Sequence, residues 1–371
     1  MERPVYQPIG TPVERLDTPA LVVDLATMEQ NIEALHSFFR SGPARLRPHV
    51  TPHKCPTIAH LQLAAGGTVG GISVSRVGEA EVFTSAGFSD ILVASEIVTR
   101  PKILRLCSLA HRSRTTVAVD NPRNLRDLSE AAQSSGVTLH VLVDINVGMD
   151  HCGVEAGRPA LDLAKEATRS QGLRFAGLMA QLSQPSTIEG EWDAGKAIQP
   201  VLDTRELIER AGLEVETVSV GVTNDYEIVG AMKGVTEVRV GSYPLMDYSH
   251  CQYVGTRHAS PPRPSARVLA TVVSHPTAAS AIVDAGHKAI GPDLGLPVLE
   301  GIAGARVTRL SAEHGILELQ GDAQHLFDVG ARVWLIPWDL GLCVNQYNYF
   351  HAIRDGKLEA VWEIAARGRT D

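Results

Sequence analysis

One short segment concentrates side chains that could do chemistry. It runs through Arg47, Pro48, His49, Val50, Thr51, Pro52, His53 and Lys54. A lysine amine can form an imine or act as a cation, and a histidine can exchange a proton near neutral pH. His49 and His53 are four residues apart, but an apolar run that ends in a loop does not give that spacing a common face. We therefore interpret His49 as structural and predict that His53 is catalytic.

A second polar group follows a later apolar run. It contains Asp144, Asn146, Asp150 and His151, and Cys152 comes directly after it. His151 can gain or lose a proton near neutrality, so it is a candidate acid or base, whereas Cys152 is expected to pack. The wider set that could form a metal or acid–base site comprises His49, His53, Cys55, Asp144, His151 and Asp339.

The elements that must position these residues alternate between short apolar runs and segments of helical period. Eight parallel strands connected by helices form a (β/α)₈ barrel, whose catalytic groups lie at the carboxyl ends of the strands. The runs expected to be strands are Leu46 to Val50, Gly71 to Val74, Ile91 to Ala94, Thr116 to Val119, Leu139 to Ile145, Phe175 to Ala180, Thr217 to Val222 and Glu237 to Val240.

The pattern changes after Tyr248, where alternating apolar runs predict a second, all-β domain. We expect the barrel to span residues 26–248 and the β domain to combine residues 1–25 with residues 249–371. Tyr243 and Asp247 lie at the end of the eighth strand, where barrel enzymes place catalytic groups. Tyr243 could serve there as an acid or as part of the pocket wall.

Composition excludes several classes of partner. The net charge is −8 and there is no basic stripe, which argues against nucleic acid and against an anionic membrane surface. The five cysteines are scattered, so neither a disulfide framework nor a zinc ribbon is indicated. The sequence predicts a soluble, cytoplasmic protein that binds a small molecule.

Several motifs carry a resemblance over nearly the whole chain. The chain resembles the D-threonine aldolase and D-serine dehydratase family, which are fold type III, alanine-racemase-like pyridoxal-phosphate enzymes. The resemblance implies a lyase, a homodimer, and a barrel joined to a β domain. Besides the segment at 47–54, the matching stretches are Asp17 to Leu25, Gly78 to Glu81, Glu96 to Val98, Cys152 to Val154, Gly241 to Asp247, Asp284 to Lys288 and Trp362 to Gly368.

The departures from this family lie at the cofactor. Thr51 stands where the family has the lysine that forms the Schiff base, and a hydroxyl cannot form an imine. Thr223 and Asp225 fall in the stretch that matches the phosphate-binding loop, and Asp247 lines the same remnant pocket. His151 stands where the family has an arginine. The metal pair falls on Asp339 and Gly341, which leaves one ligand where a tight site needs several.

Three functional hypotheses remain open. The leading one is a repurposed enzyme without pyridoxal phosphate or metal, which would carry out a lyase, hydrolase or isomerase step on a small polar metabolite. Its acid, base and polarising groups would be His53, Lys54, His151 and Tyr243, and replacing either histidine by alanine should abolish turnover. The second is a pyridoxal-phosphate lyase that uses Lys54 on a β-hydroxy-α-amino acid. The third is a non-catalytic protein that binds a ligand.

Overall fold

The computed structural model describes residues 7–182, 193–254 and 262–371. Within those ranges the strands are β1 Ala20–Asp24, β2 Arg45–Pro48, β3 Ile72–Val74, β4 Asp90–Glu96, β5 Arg114–Val119, β6 Leu139–Asp144, β7 Leu173–Gln181, β8 Thr217–Gly221, β9 Glu237–Val240, β10 Ala266–Thr277, β11 Ser280–Val283, β12 Val298–Leu299, β13 Ala305–Leu310, β14 Gly315–Leu319, β15 Arg332–Ile336, β16 Tyr349–Arg354 and β17 Lys357–Glu363.

Helices separate most of the strands in the first two thirds of the chain. In the described ranges the α-helices are α1 Leu25–Ser41, α2 Pro56–Ala64, α3 Val77–Ser85, α4 Arg100–Ala110, α5 Pro122–Ser135, α6 Arg158–Arg169, α7 Ala194–Arg210, α8 Tyr226–Ala231, α9 Tyr248–Val254, α10 His287–Ile290 and α11 Leu340–Val344. None of these helices is long and apolar enough to cross a membrane.

Strands β2 to β9 form a nearly closed parallel barrel. The order of hydrogen-bonded neighbours is β2-β9-β8-β7-β6-β5-β4-β3. Single bridges from Leu46 to Thr68 and from His49 to Ser73 connect the chain at β2 with the chain at and before β3, which are the two ends of this order. The predicted barrel is therefore confirmed, and each predicted strand lies within two residues of an observed strand at both ends.

Apolar and paired charged residues fill the barrel. Leu92, Ala118, Leu142, Ala176 and Met179 form one buried cluster, and full burial of a leucine contributes roughly 1.5 to 3 kcal/mol.

A buried ion network connects strands β2, β4, β8 and β9 of the barrel. Arg47 on β2 donates from Nε to Glu237 on β9 at 2.8 Å and from a terminal nitrogen to Asp90 on β4 at 2.7 Å. Ser219 donates to the same Glu237 oxygen at 2.6 Å. Burial alone would raise the pKa of Glu237, but the charge and hydrogen bonds of Arg47 bring it below its ordinary value.

The remaining strands form a mixed sheet, as expected for a separate, mostly β domain. Its order is β13-β14-β11-β10-β1-β16-β17, and β15 pairs with both β10 and β12. The early strand β1 pairs antiparallel with β10 and parallel with β16, so the beginning of the chain belongs to this sheet. Leu16, Ala20, Val22, Leu269 and Leu358 lie in its core.

Two compact units emerge from the contacts between residues. Unit 1 contains residues 1–34, 52–58 and 242–368, and unit 2 contains residues 35–51, 59–241 and 369–371. The domain bounds predicted from the sequence, 26–248 for the barrel, differ from this partition near residues 26–34, 52–58 and 242–248, and they stay a prediction.

Candidate functional site

Thr51 lies in the turn that follows β2, and its hydroxyl is engaged on both sides. It donates a hydrogen bond to Oε2 of Glu79 at 2.7 Å and accepts one from the main-chain nitrogen of Ser75 at 2.9 Å. Glu79 is buried and also accepts from the main-chain nitrogens of Ser75 and Arg76 at the start of α3. The hydroxyl of Thr51 is therefore part of the cap that begins this helix.

The histidines near Thr51 occupy different surroundings. Nδ1 of His49 lies 3.1 Å from the hydroxyl of Ser73, and its Nε2 lies 3.3 Å from the hydroxyl of Ser75. His53 is 1% exposed, and its Nδ1 accepts a hydrogen bond from the main-chain nitrogen of Cys55 at 3.2 Å. Both rings are thus engaged by neighbouring groups.

Lys54 and Tyr243 are buried in unit 1. Lys54 has a left-handed backbone with φ of 54°, and its carbonyl accepts from the nitrogen of Ala366 at 3.1 Å. Its exposed fraction is 9%, and that of Tyr243 is 1%. Lys54, Tyr243 and His53 share unit 1, whereas Thr51 and His151 belong to unit 2.

The stretch that matches the phosphate-binding loop ends in a buried carboxylate. Asp225 is 6% exposed and occupies the N-cap position of α8, and Thr223 is half-buried. A side chain at Gly221 would begin 1.9 Å from Oε1 of Gln181 and 2.9 Å from Arg239. The loop therefore contains a buried carboxylate, and a side chain at Gly221 would require Gln181 to move.

Three carboxylates lie at the carboxyl ends of consecutive barrel strands. Glu96 ends β4, Asp120 follows β5 and Asp144 ends β6. Burial and then the charge of Glu96 raise the pKa of Asp144 to about 7, although Arg239 opposes the shift. Barrel enzymes place their chemistry at this end of the strands, so this group is a candidate site.

The loop after β6 holds Cys152 beside these carboxylates. The nitrogen of Asn146 donates to the carbonyl of Val154 at 2.9 Å, and the nitrogen of Val154 donates to the carbonyl of Asp144 at 3.0 Å. Ligand atoms of Glu96, Asp120 and Cys152 all lie within 4.8 Å of one another. Cys152 is exposed, so the expectation that it packs is wrong.

His151 is exposed on the same loop. Its neighbour Asp150 has a positive φ of 50° and accepts a hydrogen bond from the side chain of Asn146 at 3.0 Å. The loop thus presents His151 to solvent.

In unit 1, Asp247 and His250 form a tightly bonded pair at the start of α9. Nδ1 of His250 lies 2.7 Å from Oδ1 of Asp247, and the main-chain nitrogen of His250 donates to the same oxygen at 2.9 Å. The other oxygen of Asp247 accepts from the nitrogen of Leu340 at 3.2 Å. Asp247 is 2% exposed, whereas the side chain of His250 is 27% exposed.

The interaction between His250 and Asp247 stabilises the charged form of each side chain. Burial lowers the pKa of His250, but the hydrogen bond and charge of Asp247, with a contribution from Asp339, raise it above its ordinary value. Burial raises the pKa of Asp247, but His250 and main-chain donors bring it below its ordinary value. A histidine held through Nδ1 keeps Nε2 available for proton transfer.

Asp339 caps α11. Its Oδ1 accepts a hydrogen bond from the nitrogen of Leu342 at 2.8 Å, and Gly341, two residues later, has no side chain to act as a ligand. Among the residues that the structure describes, the group with metal-ligand spacing is Glu96, Asp120 and Cys152.

Sequence reasoning missed His250, Glu96 and Asp120. His250 lies three residues after Asp247, which is the N-cap to N3 spacing, so the pattern Asp-x-x-His after the last barrel strand was a usable signal. Glu96 and Asp120 each end or follow a predicted strand, and that position in a barrel was the signal for them.

Comparisons with known proteins agree with this architecture. The family model described as "Alanine racemase, N-terminal domain" matches residues 23–249, and a serine dehydratase domain model matches residues 265–353. A D-threonine aldolase of Arthrobacter sp is 36% identical over 98% of this chain and 96% of that protein. A 3-hydroxy-D-aspartate aldolase of Paracoccus denitrificans is 32% identical over 97% of this chain and 94% of that protein.

A solved structure shows the same fold over the full length. The crystal structure of D-threonine aldolase from Filomicrobium marinum has a TM-score of 0.90 and 34% sequence identity, and the match covers 99% of this chain and 100% of that one.

Proposed function

We infer that this chain is an enzyme, because it belongs to the lyase-type family that joins an alanine racemase N-terminal domain to a serine dehydratase domain. We propose that it acts on a small polar metabolite by acid–base chemistry without pyridoxal phosphate. The observation that carries the proposal is the pair formed by the buried Asp247 and the partly exposed His250, 2.7 Å apart.

The residues present do not fit pyridoxal phosphate. The position that would supply the imine-forming amine holds Thr51, whose hydroxyl is bonded to Glu79 and Ser75. The loop that would hold the phosphate ends in the buried carboxylate of Asp225. A phosphate bound about 4 Å from the carboxylate of Asp225 would be repelled by roughly 4 kcal/mol per pair of charges at an effective dielectric of 20.

His250 has the arrangement of a general acid and base. Asp247 holds the ring through Nδ1 and stabilises the imidazolium form, and the raised pKa keeps that form populated closer to neutral pH. Nε2 can then accept a proton from a substrate hydroxyl or give one to a leaving oxygen. Such steps belong to lyase, hydrolase and isomerase reactions.

The residues predicted from the sequence keep supporting roles in this proposal. The buried Lys54 and Tyr243 share unit 1 with His250, where a cation and a phenol can polarise a bound oxygen. His53 and His151 stay predicted as catalytic, and the homodimer that the resemblance implies stays a prediction as well.

Two experiments test the proposal. The purified protein is incubated with pyridoxal phosphate, reduced with borohydride and mapped by peptide mass spectrometry. We expect no specific adduct. A single stoichiometric adduct on Lys54 would instead support the pyridoxal-phosphate hypothesis and contradict ours.

The second experiment screens small hydroxy acids and β-hydroxy-α-amino acids for turnover, with His250→Gln as the test variant. Loss of a positioned acid or base lowers the rate by about 10²- to 10⁴-fold. The matched control is His314→Gln, because His314 is an exposed histidine of the same unit. Full turnover in His250→Gln would exclude His250 as the acid–base residue, and a bound metabolite without any turnover would favour the ligand-binding hypothesis.

A further inference from the structure

The carboxylates at the ends of β4, β5 and β6 are poorly balanced by positive charge. Arg239 is the cation whose charge acts on Asp144. However, its guanidinium donates to the carbonyl and hydroxyl of Ser219 at 3.0 and 2.7 Å and to the carbonyl of Ala180 at 3.0 Å. These bonds direct the guanidinium of Arg239 toward β7 and β8, and no direct hydrogen bond from Arg239 to the three carboxylates is seen among the described residues.

Two oxygens in this group are buried without a donor. Oδ1 of Asp144 and Oε1 of Glu96 accept no hydrogen bond from an N–H or hydroxyl group among the residues that the structure describes, and Asp144 and Glu96 bond to each other when one of them is protonated. Asp144 is 5% exposed, and the negative charges that act on it are those of Glu96 and Asp120. A buried carboxylate without a donor is costly unless a proton or a cation compensates it.

A glycine positions Cys152, the third residue of the group with metal-ligand spacing. Gly153 has a φ of 96°, and a side chain there would begin 2.5 Å from the nitrogen of Asn146. Its own nitrogen donates to Oδ2 of Asp120 at 3.2 Å. The tight loop therefore fixes Cys152, the preceding residue, next to Asp120.

We propose that Glu96, Asp120 and Cys152 bind one divalent transition-metal cation, with Asp144 beside its open coordination position. Bonds of about 2.0 to 2.3 Å from oxygen and sulfur to zinc require only small side-chain rotations from atoms that already lie within 4.8 Å of one another. A thiolate combined with two carboxylates suits Zn²⁺ or Co²⁺ better than Mg²⁺ or Ca²⁺. Three protein ligands and one open position are typical of a catalytic rather than a structural metal.

This site uses different residues from the pair to which the resemblance assigns a metal, Asp339 and Gly341. Metal binding at this site is also independent of the proposed acid–base function, because it can be measured without any substrate. Either proposal can therefore fail while the other holds.

The test uses the full-length protein stripped with a chelator and titrated with Zn²⁺ by calorimetry and with Co²⁺ by absorption spectroscopy. We expect one ion per chain and a thiolate-to-Co²⁺ charge-transfer band. Cys152→Ser should remove that band, and Asp120→Asn should weaken Zn²⁺ binding by more than tenfold, since even groups behind the ligands change affinity by about 10- to 100-fold.

Asp339→Asn is the matched control and should leave both signals unchanged. No bound ion, or binding that is unaffected by Cys152→Ser and Asp120→Asn, would overturn the proposal. So would binding that only Asp339→Asn abolishes. Circular dichroism spectra and the unfolding midpoints of the stripped variants establish that each variant is folded before its binding is interpreted.

Discussion

Asp247 accepts two hydrogen bonds from one residue, His250, through its ring Nδ1 at 2.7 Å and its main-chain nitrogen at 2.9 Å. The first bond fixes the ring and the second caps the first turn of α9. Asp247 also accepts from the hydroxyl of Ser249 and from the nitrogen of Leu340. The same carboxylate therefore orients a proton-transfer group and connects two helices of unit 1.

This pair predicts that the free energy of unfolding decreases both as pH rises and as pH falls. The pKa of His250 is raised by folding, so its contribution is complete below its unfolded pKa of about 6.5 and is lost as pH rises through the raised value. The pKa of Asp247 is lowered, so its contribution is present above about 3.9 and is lost as pH falls through the lowered value. We expect His250→Gln to flatten the alkaline side of a plot of unfolding free energy against pH.

The matched control for that measurement is His151→Gln, because His151 is exposed. It removes a histidine outside the Asp247–His250 pair, so a change of slope confined to His250→Gln would identify that pair as its source. An unchanged slope in His250→Gln would contradict the assigned partnership with Asp247.

Thr51 should contribute to stability through its hydroxyl. Thr51→Val keeps the shape of the side chain but leaves Glu79 without one donor and the nitrogen of Ser75 without one acceptor. We expect a loss of about 1 to 3 kcal/mol in the free energy of unfolding, measured by urea denaturation. Thr51→Ser retains the hydroxyl and should lose clearly less; equal losses would show that the hydroxyl is not the stabilising group.

The ion network of the barrel gives a larger expected effect. Glu237→Gln leaves Arg47 buried with only Asp90 as a charged partner, and breaking a buried pair costs about 3 to 5 kcal/mol. Glu206→Gln is the comparison, since the bond of Glu206 to Arg210 is exposed and such pairs contribute at most about 1 kcal/mol. Similar denaturation midpoints for the two variants would refute the assigned role of Glu237.

His53 and His151 can now be distinguished by stability as well as by activity. His53→Ala removes a buried acceptor of the Cys55 nitrogen and should cost about 1 to 3 kcal/mol. His151→Ala changes an exposed side chain and should cost less than about 0.5 kcal/mol. Loss of turnover in His151→Ala without loss of stability would support its predicted catalytic role, and full turnover in both variants would exclude catalysis by either histidine.

The barrel strands were predictable because each is an apolar run of a few residues followed by a segment of helical period. For example, Glu237–Val240 was predicted with its observed bounds, and Leu139 was predicted as the first residue of β6. Burial on both faces of a parallel strand makes such runs nearly continuous in sequence, which is why they were visible without a structure.

The candidate sites were less predictable because they depend on contacts between distant segments. The engagement of Thr51 depends on Glu79, 28 residues away, and the setting of Asp144 depends on Glu96 and Asp120. Sequence position placed these residues at strand ends, but it could not show which side chains lie within bonding distance. His250 was different, since its partner is only three residues away and the local pattern could have been recognised.

The bond between Thr51 and Glu79 also constrains how this protein can change. A lysine at position 51 would supply an amine but would remove the short hydroxyl on which Glu79 and Ser75 depend. The effect of a substitution at 51 therefore depends on the residue at 79, which is epistasis with a known physical cause. A lysine introduced at position 51 would therefore have to bond Glu79 through its own amine, or leave Glu79 with its two main-chain donors, the nitrogens of Ser75 and Arg76.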